Sequence, residues 1–248
     1  MSMCIDCGRA PAADGRRVCD DCLAVFIRDW ERRHGLPPGG RDPAEVRHEL
    51  ACGRGAALLL HGRLTGNRDD EHAAMTVVLT ECYERPGLTP AAALVDPLLN
   101  LTSAVLVDAP QPPGPPPPPP PPNVVRVEPV RWCSVFVERL RDAGMIAAAE
   151  ADVTDDAELV RDCRATEAAT VVMRGRLTGD AELEAHGWSS AEALAAEDHA
   201  TAPGVLLGPI LGLVNDHVRG GARERLIECL RDAILTWAPT PDTPEGLT

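Results

Sequence analysis

Ala56–Gly66 reads "AALLLHGRLTG" and Ala169–Gly179 reads "ATVVMRGRLTG". The pentapeptide GRLTG thus occurs twice, 113 residues apart. In a chain rich in Gly, Arg and Leu, a five-letter match arises by chance at the level of roughly a few per cent, so the flanks decide. They agree. At the same offset Val46, Leu50, Ala57, Leu60 and Leu64 fall on Leu159, Cys163, Thr170, Met173 and Leu177. The spacings place each set on one face of a helix or at its exit. With small slips the match extends in both directions. Leu23, Phe26, Ile27 and Trp30 fall on Cys133, Phe136, Val137 and Leu140, and "DPLLNL" from Asp96 falls on "GPILGL" from Gly208. The expectation is an all-α fold built from two diverged copies of one four-helix unit.

The periodicity predicts helices over about 22–34, 43–61, 69–85 and 90–108, and again over 132–144, 156–174, 180–200 and 205–219. An additional amphipathic helix is expected over about 222–237, with Leu226, Leu230, Ala233, Ile234 and Trp237 on one face. Asp42, Thr89, Asp155 and Ser189, each followed three residues later by a carboxylate or directly by Pro, read as helix starts. Pro97 and Pro209 interrupt the fourth helix of each unit at matched positions, where a kink is expected. Gly62 and Gly175 suit the left-handed position that ends a helix, and Leu64 and Leu177 can fold back onto it. GRLTG then reads as a connection between two antiparallel helices. Arg63 and Arg176 could instead form a symmetric pair for an anionic ligand, the less favoured reading.

A second pattern stands at the front of the chain. "CIDCGRAPAADGRRVCDDC" places Cys4, Cys7, Cys19 and Cys22 in two C-x2-C pairs. Two residues between thiolates let one tight turn present both sulfurs to one ion. Asp14-Gly15 marks a hairpin between the pairs. Four thiolates in tetrahedral array suit Zn²⁺ and leave no open position for a substrate. The second pair runs into Leu23–Arg33, whose apolar residues recur with helical period. Knuckle, hairpin and helix together resemble the treble-clef zinc finger over about residues 1–34. A zinc ribbon is the neighbouring alternative, with a third strand in place of the helix. A closed site of this type implies a structural metal, with contact to protein or nucleic acid as a further use.

Composition narrows the function. The chain has 248 residues, 44% of them hydrophobic and only 3% aromatic, so its core must come from Leu, Val, Ile and Ala. All 24 basic residues are arginine, and the net charge is −14. Residues 1–43 are balanced at seven Arg and seven acids, whereas residues 124–248 carry twelve Arg against twenty-two acids. The acidic part would repel a nucleic-acid backbone, so any such contact falls to the front of the chain. Met1–Cys7 lacks the basic start and apolar stretch of a signal peptide, and Ala200–Asn215 is too short and broken to span a bilayer, so a cytoplasmic protein without a membrane partner is expected.

The domain reading is a zinc finger over 1–34 running into the first helix, helical units over 22–109 and 124–237, a polyproline linker over 110–123 and a tail over 238–248 that is expected to be disordered. Histidine pairs with zinc-protease spacing, Gly-rich phosphate loops and G-x-S-x-G are absent from the sequence. Cys52, Cys82, Cys163 and Cys229 fall within expected helices and read as core residues, and Cys133 as a small buried hydrophobe. The function expected is a non-catalytic, zinc-stabilised helical adaptor that binds another protein and could self-associate. A nucleic-acid regulator using the finger is the first alternative. An enzyme of unfamiliar type, with a site between the units, is the second.

Overall fold

A computed structural model describes residues 43–106, 132–197 and 199–237. The four leading cysteines and the whole of 1–34, the polyproline run and the tail lie outside these residues. Within them the chain is all-α, with eight helices and no strand: α1 (Pro43–Thr65), α2 (Arg68–Glu84), α3 (Pro90–Leu106), α4 (Trp132–Val153), α5 (Ala157–Thr178), α6 (Ala181–Glu197), α7 (Ala202–His217) and α8 (Gly221–Thr236).

The two GRLTG segments close α1 and α5, and the glycines, leucine and threonine have the same task in both. The helix does not stop at the first glycine, as the sequence suggested; it continues one turn further, through Thr65 and Thr178. The second glycine takes the left-handed conformation instead, with φ 74° at Gly66 and 70° at Gly179. The amide after it donates back five residues, Asn67 to the Gly62 carbonyl at 3.0 Å and Asp180 to the Gly175 carbonyl at 2.9 Å. This is the hydrogen bond of a Schellman end, and it satisfies a carbonyl that the helix leaves without a partner. Thr65 and Thr178 each donate a hydroxyl to the carbonyl four residues earlier. Leu64 and Leu177 are buried. The first glycine serves a different end. A Cβ on Gly62 would stand 2.7 Å from the Asn67 carbonyl oxygen, and one on Gly175 would stand 2.6 Å from Glu184 Cα. At both points the start of the next helix lies close against the glycine.

Helix starts follow local chemistry. Asn67 caps α2 by accepting from the Asp69 amide. Thr89 Oγ1 accepts from the Ala92 amide ahead of Pro90. α5 is capped by Asp156, one residue beyond the expected Asp155, through the amides of Glu158 and Leu159. Ser189 starts nothing: it lies inside α6, which opens at Ala181. The chain already has an acid-rich first turn there, and a helix that is running does not need a second cap.

One continuous core runs through the molecule, centred on Leu60, Leu94, Leu98, Met173, Leu206, Ile210 and Leu226. α3 and α7, which carry Pro97 and Pro209, both contribute to it and meet each other. The remaining helix contacts pair off under one exchange, in which α1 swaps with α5, α2 with α6, α3 with α7 and α8 with α4. α1 packs on α2, α3 and α8 as α5 packs on α6, α7 and α4; α2 meets α3 as α6 meets α7; α3 meets α8 as α7 meets α4; and α3 meets α5 as α7 meets α1.

The exchange gives α8 a role the sequence did not suggest. Arg223 of α8 donates to the Leu64 carbonyl at 2.7 Å, and Cys133 of α4 approaches the equivalent Leu177 carbonyl at 3.8 Å. Leu226 and Leu230 are buried as Phe136 and Leu140 are. On α1, therefore, α8 stands where the helix expected at 22–34 would have stood by analogy with α4. A three-helix junction fixes it: His61 Nδ1 donates to Asp70 of α2 at 2.6 Å, while Nε2 accepts from Arg231 of α8 at 3.3 Å.

The tightest helix crossings also correspond. Gly55 of α1 faces Ala74 and Val78 of α2; a Cβ there would lie 2.6 Å from Val78 Cγ2. At the same crossing in the other half stand Ala168, Gly187 and Ala191, and a Cβ on Gly187 would lie 3.0 Å from the Ala168 carbonyl. In one half the glycine lies on the first helix of the crossing pair, and in the other on the second. Not every expected core position is filled. Leu159, the counterpart of Val46, is 44% exposed, and Cys229 is exposed rather than buried, because each faces away from the neighbouring helix. Cys133 is half-buried.

Candidate docking groove

No group of three or more His, Cys, Asp or Glu side chains among the described residues is arranged to hold a metal ion. Cys4, Cys7, Cys19 and Cys22 lie outside those residues. An open groove of about 760 Å³ lies between α1, α3 and the end of α8. Its floor and walls are apolar. α1 supplies Val46, Leu50 and Gly53, α3 supplies Ala92, Leu101 and Ala104, and Leu88 and Trp237 close the ends. Gly53 is there for Trp237. A Cβ at 53 would stand 3.0 Å from the Trp237 ring, so glycine lets the indole lie on the helix.

The groove exists because α8 is shorter than its counterpart. α4 continues to Val153, and its last turns place Ala147 and Ala151 on Val160 and Cys163 of α5 in a small satellite core. α8 ends at Thr236, where α4 would be at about Ala147. The stretch of α1 that would lie under the missing turns includes Leu50, and it forms one wall of the groove.

The rim is polar and spans both halves of the molecule. Arg176 of the second GRLTG reaches across to α3. Its Nε and Nη2 donate to Glu184 Oε1 at 2.8 and 2.6 Å, its Nη1 to Asn100 at 2.6 Å and its Nη2 to Asp96 at 3.2 Å. Burial works against its charge, but the bonds to Glu184 and the nearby Asp96 outweigh it and hold the guanidinium above its ordinary pKa. Arg63, its counterpart, is more exposed and lies 3.5 Å from Glu71. The two arginines are thus not a symmetric pair around one ligand. Each answers the carboxylate eight residues on, and only Arg176 extends to a third helix.

On the α2 side of the groove, His48 Nδ1 lies 2.6 Å from Glu81 and His48 Nε2 lies 3.6 Å from Cys52 Sγ. Thiol, imidazole and carboxylate in that order suggest an activated nucleophile. The environment opposes it. Burial, then the charge of Glu81 and the neighbouring Cys82, push the Cys52 thiol up to about 11. A protonated sulfur with negative neighbours is the reverse of the electropositive setting that makes a reactive thiolate. Cys82 and Cys163 are raised by burial as well.

Polar groups do therefore meet between the halves, as an enzyme would require, but the cation is matched by carboxylates and the thiol keeps its proton. Sequence reasoning singled out Arg176 but missed the groove. Its walls come from residues 46–53, 88–104 and 237, and only the end point of α8 leaves it open. No protein-family model, curated protein or solved structure matches the chain. Among the described residues, no helix is long and apolar enough to cross a membrane.

Proposed function

We propose that this protein is a non-catalytic, zinc-stabilised helical adaptor that binds another protein. The observation that carries the reading is the groove: apolar along its length, open to solvent and rimmed by Glu49, Asp96, Asn100 and Arg176. Such a surface suits an amphipathic helix presenting apolar residues at i, i+3, i+4 and i+7. The spacing of Cys4, Cys7, Cys19 and Cys22 supports a tetrathiolate zinc finger ahead of the bundle. The paired helix contacts and the corresponding GRLTG ends support an origin by internal duplication, with α8 and α4 as equivalent helices.

Affinity capture from cells, followed by mass spectrometry with and without a zinc chelator, tests the function. The expected result is a specific protein partner whose retention drops when Leu101 is changed to Arg in the groove. Retention unaffected by Leu101→Arg but abolished by chelation would move recognition to the finger. A nucleic-acid role rests on the balanced charge of residues 1–43. It requires retention on DNA or RNA that falls steeply with salt and disappears in a Cys19→Ser, Cys22→Ser variant.

A further inference from the structure

We propose that a pocket between α4 and the start of α8 binds a phosphate monoester carried on a small apolar body. The pocket shares no residue with the groove and does not depend on it.

Its volume is about 360 Å³, at the small end of ligand sites. Trp132, Val135, Phe136 and Arg139 line it from one face of α4, at i, i+3, i+4 and i+7. The end of α7 at His217, the link 218–220 and the start of α8 complete it. Leu106, Phe136, Val218 and Ala222 give it a buried apolar floor. Arg139, Arg219 and His217 supply the polar side chains, and no carboxylate is among the lining residues. In this chain acids outnumber arginines by 38 to 24, so that absence sets the pocket apart.

The two arginines are not committed to acids. Arg63, Arg141, Arg164 and Arg176 each lie against a carboxylate. Arg139 instead donates to the His217 carbonyl at 2.7 Å, and Arg219 reaches the Asn215 carbonyl only at 3.5 Å. Each keeps further N–H donors for a ligand. Glu138, Asp216 and Glu224 are their neighbours in the chain. Asp216 accepts from the Asn215 side chain, and among the described residues none of the three pairs with Arg139 or Arg219. Burial holds His217 below the ordinary histidine range; Asp216 opposes this, and Arg139 and Arg219 add to it. A neutral imidazole leaves two guanidinium charges in the lining. A phosphate monoester carries about −1.5 to −2 near pH 7 and offers three acceptor oxygens, which two guanidinium groups and one imidazole N–H can match. Helix packing does not demand this cation. Under the exchange that sets Phe136 against Leu226 and Leu140 against Leu230, Arg139 corresponds to Cys229, which is also exposed.

The apolar body has its own wall. Trp132 is half-buried, with Arg225 over its ring at 5.4 Å and Gly221 beside it, where a Cβ would stand 3.4 Å from the indole. These contacts hold the ring in place. Val135, one turn along, is 40% exposed and leaves apolar surface for a ligand to cover.

The test titrates phenyl phosphate into the ¹⁵N-labelled full chain and follows the indole N–H signal of Trp132, assigned from Trp132→Phe. A saturable shift is expected. Inorganic phosphate, phenol and benzoate should each bind at least about tenfold more weakly, and Arg139→Ala and Arg219→Ala should each weaken phenyl phosphate by about tenfold or more. Arg139 also ties α4 to the end of α7, so the exposed Arg219 is the variant that decides if Arg139→Ala lowers the helical content. No saturable shift, an affinity indifferent to Arg219→Ala, or equal binding of inorganic phosphate or phenol would overturn the proposal. Equal binding of benzoate would overturn the phosphate assignment and give the pocket to carboxylates.

Discussion

Gly55→Ala places a methyl group where α1 crosses α2. Ordinary carbon contacts lie near 3.5–4.0 Å, and this methyl would sit 2.6 Å from Val78 Cγ2, with the Ala74 carbonyl the next atom at 3.6 Å. The clash is with one side chain. Overpacking of this kind costs about 1–3 kcal/mol, against about 1 kcal/mol gained by replacing glycine in a helix interior. The net loss expected is about 0–2 kcal/mol. Val78 is fully buried, and Val78→Ala alone should cost about 1.5–3 kcal/mol for two lost methyls and the space they leave. Together the substitutions place an alanine pair at this crossing like Ala168 and Ala191 of the other half, with Ala74 where that half has Gly187. The new methyl then enters the vacated space, and the double variant should be about 1 kcal/mol more stable than Val78→Ala. Gly187→Ala behaves differently. Its Cβ would meet the Val172 amide nitrogen at 2.7 Å and the Ala168 carbonyl at 3.0 Å, and backbone cannot turn aside. It should destabilise more than Gly55→Ala, and Val172→Ala should not rescue it. Urea titrations followed by far-UV circular dichroism, analysed with a common m-value, give the values for the four single and two double variants. If Gly55→Ala is equally harmful with and without Val78, the crossing is not governed by that contact and the reasoning fails.

Arg176→Ala should cost about 1–3 kcal/mol in the same titration, since it leaves half-buried Glu184 without its charged donor. Arg63→Ala, which breaks an exposed pair, should stay within about 0.5 kcal/mol of the parent. Among the five described cysteines, Cys229 should react first with iodoacetamide at pH 8, and Cys52 should remain protected until the fold opens, as mass spectrometry of timed digests will show. The folded protein holds the Cys52 proton up to about pH 11 while the unfolded chain releases it near 9. Stability should therefore fall between pH 9 and 11, and Cys52→Ala should flatten that part of the profile. Zinc analysis of the purified full chain should give one ion per molecule, lost on changing Cys19 and Cys22 to Ser.

Much of the architecture was legible where local chemistry and periodicity agreed. The Ala56–Gly66 and Ala169–Gly179 stretches combine a helical apolar stripe with a left-handed glycine, and each closes a long helix as expected. The choice of glycine was misread, Gly62 for Gly66, because the first is required by a neighbour nine residues on, which no local rule contains. α8 was recognised as a helix but not as the counterpart of α4. Leu226, Ile227 and Leu230 match Phe136, Val137 and Leu140 in spacing, but they follow the fourth helix of their run rather than precede the first, so a search in chain order passes over them. The groove was illegible for a related reason: it depends on where α8 stops against α1, a relation between residues nearly two hundred positions apart.

The exchange of α4 with α8 has a consequence for connectivity. One half of the molecule reads α4-α5-α6-α7 without a break. The other reads α8-α1-α2-α3, with its first helix at the far end of the chain. Trp237 lies on Gly53, about 15 Å along α1 from Pro43, so a short link could join the end of α8 to the start of α1. A circular permutant opened in the proline-rich segment and closed by that link would carry two whole quartets in series. Each could then assemble from neighbours in sequence, and by the dependence of folding rate on contact separation the rearranged chain should fold faster than the natural one.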